Sequence, residues 1–472
     1  SAAPRIQAVD EAIAAARDAA NTWAAIGLDG RAKVLRKFQS LAAARVEALA
    51  ALIRDEVGKP MWDARAEAQL LATKVDITLD TATEGTLKRV TGYELSLGGT
   101  KSGRCWFRPH GVMAVLGPFN FPAHLPNGHI IPALAMGNTI IFKPSDRTPA
   151  VGQFLAELYH EALEAEGAPK GVVNLVQGGA DVAAKLASHD DIDGVLFTGS
   201  WIVGRRIMQA NLDRPGRMLA LEMGGNNPAA ILPDADIKQA ITECIRCAFI
   251  TSGQRCTCTR RLIVHEAVAD TVIPAICKAA AALTIGDPAS PAPIFMGPVI
   301  SEQARAAIFE AYRAMLAAGG EVLVEMRESD GGTGGWYLTP GVVKVTRFTK
   351  ADDIRADAGA DHEVFGPLLR ICIVKTLDEA IEQANATRFG LAASVFTKDA
   401  AAAARFCNQV RAGCINWNTG TAGASSKLPF GGLGHSGNHR PAGAFSVDYC
   451  AYPVAGMIEK SDACIVSPGM EP

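Results

Sequence analysis

A chain of 472 residues is longer than one ordinary hydrophobic core and implies two or three domains. Hydrophobic residues at 49% and charged residues at 20% place it among globular proteins. A formal net charge of −3, with no Lys/Arg run interleaved with aromatics, excludes a polyanion-binding surface, so nucleic acid is not an expected partner. No apolar stretch approaches the roughly 20 residues that cross a bilayer, and no membrane partner is expected. The odd count of eleven cysteines, without a secretion signal, favours reduced thiols in the cytoplasm over a disulfide framework.

In chain order, "SAAPRIQAVDEAIAAARDAANTWAAI" opens an Ala-rich amphipathic helix with Val9, Ile13, Ala16, Ala20 and Trp23 on one stripe. Residues about 8 to 80 read as helices, and the stripe of "RAKVLRKFQSLAAARVEALAALIRDEVGKP" stops at Gly58-Lys59-Pro60. The segment 91–110, "TGYELSLGGTKSGRCWFRPH", alternates around Gly98-Gly99 and predicts a hairpin whose exposed edges need a partner. From 111 to 232 short β-rich runs ("GVMAVLGP", "NTIIFKPS", "VVNLVQGG", "DGVLFTGS", "RMLALEMGG") alternate with helical segments such as 149–167. That alternation predicts parallel strands joined by crossover helices, the doubly wound form of an α/β fold. A second alternating region, about 236 to 430, includes "RRLIVHE", "PLLRICIVK", "ASVFTKD" and "GCINWN". Between these, "ESDGGTGGW" (328–336) reads as an exposed Gly-rich loop rather than a phosphate cradle.

Chemistry concentrates at a few strand and helix ends. In "FITSGQRCTCTRR" (249–261) two cysteines stand one residue apart. Cys244, Cys247, Cys256 and Cys258 can be written as a zinc-like pattern. The helical period of "ADIKQAITECIRCAF" instead makes Cys244 and Cys247 packing residues, and no metal is expected. Cys256 differs from them because Gly253-Gln254-Arg255 precedes it at a helix end, where cationic neighbours favour a thiolate. Glu222 ends the apolar strand of "LALEMGGNNP", the place where doubly wound folds keep ligands, although a solvated strand-end glutamate would look the same. Asn120, in "LGPFNFPAHLPNGH", is either an oxyanion donor or a turn asparagine. In "FTGSWIVGRRI", Gly199, Ser200 and Gly204 join a strand to a helix start, which suits a pyrophosphate near backbone N–H groups. In "IIFKPSDRTP", Lys143 and Asp146 are candidate partners for ribose hydroxyls.

Together "PFNFP", "KPSD", "FTGS", "LEMGGNNP", "FITSGQRC", "HEVFGPLLR" and "PFGG", in that order over essentially the whole chain, resemble the aldehyde dehydrogenase superfamily. The resemblance implies an NAD-dependent oxidation with Cys256 as nucleophile, Cys258 as a packing neighbour and Glu222 as the base that activates water. It implies that the Asn120 amide and the Cys256 N–H hold the oxyanion, and that Glu363 and Phe365 contact the nicotinamide ribose and ring. A narrower signature, "AHLPNGHIIPAL", "GQRCTCTRRL", "INWN" and "PFGGLGHSGNHRPAGAFSVDYCAYP", resembles the branch that oxidises N-succinyl-L-glutamate 5-semialdehyde in arginine catabolism. The alternative is another acidic semialdehyde, such as that of succinate or glutamate. Arg255 and Arg440, with His439 and Lys427 behind them, are the candidate carboxylate ligands.

The same resemblance implies an NAD-binding domain over 1–90 and 110–228 and a catalytic domain over 229–435. An oligomerisation arm over 91–109 and 436–472 would give a homodimer or homotetramer. Two departures stand out: the strands that precede the family's first helix are missing or shortened to Ser1–Arg5, and Asp146 replaces the usual glutamate of "KPSE".

Overall fold

A computed structural model describes residues 6–82, 85–352, 359–462, 464 and 466–471; the proposed short strand region Ser1–Arg5 lies outside the described residues. Four helices follow, Ile6–Ala25, Gly27–Ala44, Val46–Val57 and Met61–Thr78. The predicted stripe of the first helix is buried at Val9, Ile13, Ala16 and Trp23, with Ala19 buried and Ala20 only half-buried. The third helix stops where Gly58 takes φ 80°, a left-handed cap open to glycine at little cost.

The segment after the helices forms the predicted hairpin: β1 (Tyr93–Gly98) pairs antiparallel with β2 (Lys101–Pro109) around Gly98 and Gly99, both at positive φ. Next come β3 (Val112–Leu116), β4 (Thr139–Lys143), β5 (Val173–Leu175), β6 (Gly194–Thr198) and β7 (Met218–Glu222). They make one parallel sheet in the order β5-β4-β3-β6-β7. β3, β4 and β6 are buried at every position, as expected of strands with helices on both faces. The winding direction reverses between β3 and β6, which opens a crevice at their carboxyl ends.

Residues 223–226 carry the chain from this sheet into a second one. Its members are β8 (Asn227–Ile231), β9 (Thr259–His265) and β10 (Glu321–Val324), followed, after the small ladder of β11 (Glu328–Ser329) and β12 (Tyr337–Leu338), by β13 (Gly341–Lys344), β14 (Leu368–Val374), β15 (Ala392–Phe396) and β16 (Cys414–Trp417). The order is β10-β13-β14-β9-β8-β15-β16, parallel except where β10 meets β13. The ladder of β11 and β12 closes the Gly-rich loop. Finally β17 (Pro429–Phe430) pairs with β18 (Ala442–Gly443), and β19 (Ala451–Glu459) adds to β2, giving a three-stranded antiparallel sheet β1-β2-β19. Among the described residues no helix is long and apolar enough to cross a membrane.

Candidate active site

Parallel strands deliver their carboxyl ends to one edge, and the candidate residues arrive there from separate strands. β3 leads into Asn120, β4 ends at Lys143, β6 runs into Gly199-Ser200, and β7 ends at Glu222. Thr198 and Glu222 lie side by side in register.

Cys256 is brought to this edge by a strained turn. Helix Ile237–Phe249 ends, and Thr251 and Ser252 (both φ 54°) and Gly253 (φ 73°) are all left-handed. A Cβ on Gly253 would stand 2.1 Å from the Gly366 carbonyl oxygen, so only glycine fits. Side chains hold the two non-glycine residues in place: Thr251 Oγ1 donates to Asp63 (2.7 Å) and Ser252 Oγ to the Gly297 carbonyl (2.7 Å). The buried Arg260 guanidinium ties the turn to its surroundings through the carbonyls of Gly225, Gly253, Arg255 and Val364.

Cys256 and Glu222 both line a cavity of about 380 Å³, together with Phe121, His124, Arg255, Lys427 and Phe430. Glu222 is buried, its Oε1 accepts the Ala442 N–H at 3.1 Å, and burial pushes its carboxyl up to about 8. Burial likewise pushes the Cys256 thiol up, and the carboxylates of Glu222 and Glu363 add to the effect, so the surroundings favour the thiol over the thiolate expected from cationic neighbours; Arg260 opposes them only weakly. Asn120 is buried, and its Nδ2 donates to the Gln254 carbonyl at 3.0 Å, which sets the amide beside the turn that carries Cys256. Nδ2 carries two protons, and this contact uses one.

The pair Gly224-Gly225 makes room for Glu363. A Cβ on Gly224 would overlap Glu363 Oε2 at 1.8 Å, while the Gly225 N–H donates to Glu363 Oε1 at 2.9 Å. Arg260 stands 3.5 Å from the same carboxylate, and burial raises the carboxyl's proton affinity. Phe365 lies edge-on to Phe119 (5.9 Å) with the Arg260 guanidinium 5.2 Å from its ring centre.

The remaining cofactor candidates surround the crevice. Ser200 caps helix Trp201–Gln209 by accepting the Val203 N–H, and Gly199 donates its N–H to the Glu222 carbonyl. A Cβ on Gly204 would meet Met223 Sδ at 2.3 Å, so glycine lets this helix pack directly on the strand end. Lys143 is buried at the end of β4, and burial lowers its proton affinity. Asp146 is exposed in the turn that follows.

The substrate candidates separate. Arg255 lines the cavity, yet Asp63 holds its guanidinium at 2.6 Å and Thr251 Oγ1 accepts from it at 2.8 Å. Lys427 lines the cavity from its exposed rim. Arg440 and His439 are exposed and stand outside the lining, with Arg440 donating to the His439 carbonyl. Cys258 is buried with its thiol on the Ile250 carbonyl, and Cys244 and Cys247 are buried along their helix. Among the described residues no group of three or more His, Cys, Asp or Glu is arranged to hold a metal ion.

Three titratable lining residues escaped the sequence reading. Lys74 is buried with its ammonium on the Gly443 carbonyl (2.7 Å) and Ser446 Oγ (3.2 Å), and burial lowers its pKa to about 8. His129 bridges Tyr449 Oη (2.8 Å) and Thr198 Oγ1 (3.2 Å), and burial lowers it to about 3. His124 is lowered to about 4, chiefly by burial and then by Lys74, Lys59 and Arg255. The signal for Lys74 was present: it falls on the stripe Leu71, Val75, Thr78 that the helical period assigns to the interior.

Similarity to known proteins agrees with this arrangement. A sequence model described as the aldehyde dehydrogenase family matches residues 3–453. The N-succinylglutamate 5-semialdehyde dehydrogenase of Sphingopyxis alaskensis is 44% identical over 99% of this chain and 93% of its own. That of Paraburkholderia xenovorans is 42% identical over 98% and 92%. Among solved structures, an NAD-dependent aldehyde dehydrogenase from Sinorhizobium meliloti superposes with a TM-score of 0.90 at 30% identity, covering 98% of this chain and 88% of that one. PnpE in complex with nicotinamide adenine dinucleotide gives 0.90 at 30% (99% and 93%). The glyceraldehyde-3-phosphate dehydrogenase GapN of Methanocaldococcus jannaschii, complexed with NADP, gives 0.88 at 26% (98% and 96%). By a family match spanning nearly its whole length, the chain belongs to the aldehyde dehydrogenase family.

Proposed function

We propose that this enzyme oxidises N-succinyl-L-glutamate 5-semialdehyde to N-succinyl-L-glutamate with NAD, through a thioester on Cys256. The observation that carries the substrate class is the charge of the cavity. Its lining holds Lys74, Arg255 and Lys427, and Glu222 as the sole carboxyl. A buried carboxylate needs charge-assisted partners, and a dianionic substrate supplies what such a wall lacks. Relatives more than 40% identical over nearly the full length bear the corresponding name. A shorter acidic semialdehyde is the second reading, favoured by the engagement of Arg255 with Asp63.

The residues at the crevice fit a dinucleotide. Gly199 and Ser200 begin a helix at a strand's carboxyl end, Gly204 brings that helix against Met223, and Lys143 stands at the neighbouring strand end. Bound NAD would accept the hydride; Glu363 and Phe365 would hold its nicotinamide end. Asp146 would accept from the ribose 2′-hydroxyl and repel a 2′-phosphate, which favours NAD over NADP.

The chain's own groups carry the rest. The Cys256 thiolate forms the bond to the aldehyde carbon, and the charge that develops on oxygen is met by the Asn120 amide and the Cys256 N–H. Hydride loss leaves a thioester on Cys256. Glu222 then takes a proton from water as water attacks that thioester, releasing the acid and the thiol. The carboxylate form is required, so with Glu222 raised to about 8 this step accelerates as pH rises towards 8.

Cytoplasmic residence fits the eleven free cysteines. Homo-oligomerisation fits the exposed Tyr93, Leu95, Leu97 and Met457 of the three-stranded sheet. Measuring kcat/KM for a panel of semialdehydes with NAD and NADP tests the whole reading. N-succinylglutamate 5-semialdehyde with NAD should rank first; a preference for a neutral aldehyde, or for NADP, would refute the corresponding part.

A further inference from the structure

Of the three cations that line the cavity, Lys74 is the one that is fully buried. It is 2% exposed, on the interior stripe of helix Met61–Thr78. Two other cations are neutralised locally: Lys59, which sits over the Phe121 ring outside the cavity lining, by Glu67 at 2.6 Å and Arg255, on the lining, by Asp63 at 2.6 Å. Lys74 instead donates to a carbonyl and a hydroxyl, those of Gly443 and Ser446. A buried ammonium on neutral acceptors carries a large desolvation cost, and some other interaction must offset it.

The acceptors show where that interaction lies. Gly443 and Ala442 form β18, and the Ala442 N–H is the donor that holds Glu222 Oε1. Gly443 (φ 65°) has no room for a side chain, since a Cβ would stand 2.2 Å from the Leu428 carbonyl oxygen. The two-residue strand is therefore held by its pairing with β17 and by the Lys74 ammonium, and its Ala442 N–H reaches Glu222.

We propose that Lys74 is a positioning residue for Glu222: its ammonium fixes the Gly443 carbonyl, and through it the Ala442 N–H that holds the Glu222 carboxyl, and presents a cation to that base. The proposal rests on the reading of Glu222 as the base. The titratable groups that face Glu222 from the packed elements are Lys74 from its helix, Cys256 from the nucleophile turn, Cys414 from β16 and Tyr449 beyond β18. His124 and His129, which face Lys74, are held neutral. Lys74 is thus the cation that acts on Glu222, and its direction is to favour the carboxylate.

The test measures the burst of reduced NAD, which reports acylation, and the pH profile of the turnover that follows, which reports Glu222. Lys74→Met should keep a burst near one per site. Its later turnover should move to higher pH by about one unit, a loss of roughly 10-fold at pH 7. Lys74→Arg should return the midpoint towards wild type. Lys74→Gln keeps a donor for Gly443, guarding against a failure to fold, and should show the alkaline shift. In the Glu222→Gln background, Lys74→Met should add nothing to the slow phase. An unchanged midpoint in both neutral variants, or equal loss of burst and turnover, would overturn the role of Lys74. Normal turnover in Glu222→Gln alone would instead overturn the reading of the base, so the two failures are distinguishable.

Discussion

At the scale of single residues, the groups legible in the sequence were those that end an apolar run. Glu222 follows a strand and precedes two glycines, and Cys256 follows a helix end with Gly253, so local pattern alone marked them. Arg255 shows what such reading leaves out. In sequence it is a candidate carboxylate ligand beside Cys256, and its partner Asp63 comes from a helix far away in the chain. Arg440 lies in the motif-bearing tail and is still exposed outside the cavity lining, because proximity along the chain does not fix position in the fold. Glu222→Gln should give a burst of reduced NAD near one per site, followed by slow turnover, in a rapid-mixing trace. In the wild type the slow phase should rise about 10-fold per pH unit below 8 and level above it, because one carboxyl deprotonates. Lys427→Met should cut kcat/KM for succinylglutamate semialdehyde by about 10-fold while sparing a neutral aldehyde of similar length. A hydrogen bond to a charged group is worth about 1.5–3 kcal/mol, and exposure at the rim puts Lys427 at the lower end.

At the scale of elements, strands and helices were largely readable, since continuous apolar runs such as β3, β4 and β6 can be buried on both faces only in a parallel sheet. The change of sheet was less so. β7 and β8 are separated by four residues and read as neighbours, yet they belong to different sheets, and only the pairing shows that Glu222 ends one of them and Asn227 begins the other. Arg260 fastens that junction to the Cys256 turn: its guanidinium bonds Gly225, Gly253, Arg255 and Val364 and pairs with Glu363. Arg260→Met leaves the Glu363 carboxylate buried beside unpaired carbonyls. It should destabilise the fold by about 3–5 kcal/mol, seen as a lower thermal midpoint, whereas Arg440→Met at the exposed tail should leave that midpoint within error.

At the scale of the molecule, the hairpin of 91–110 was legible in the sequence, and the pairing of β19 with it makes β2 the centre of a three-stranded sheet. β1 is exposed at every position, and Leu95 and Leu97 project from it into solvent. Replacing both with aspartate should lower the mass measured by light scattering; an unchanged mass would move the association surface elsewhere. The account as a whole depends on one covalent event, the transfer of the substrate's acyl group to one particular sulfur. Its most direct measurement is mass spectrometry of the Glu222→Gln enzyme after brief exposure to N-succinylglutamate 5-semialdehyde and NAD. A succinylglutamyl thioester should be found on Cys256, persist when Cys258→Ala is added and vanish with Cys256→Ala. A thioester on Cys258, or an enzyme that oxidises this aldehyde without forming any adduct, would contradict the account.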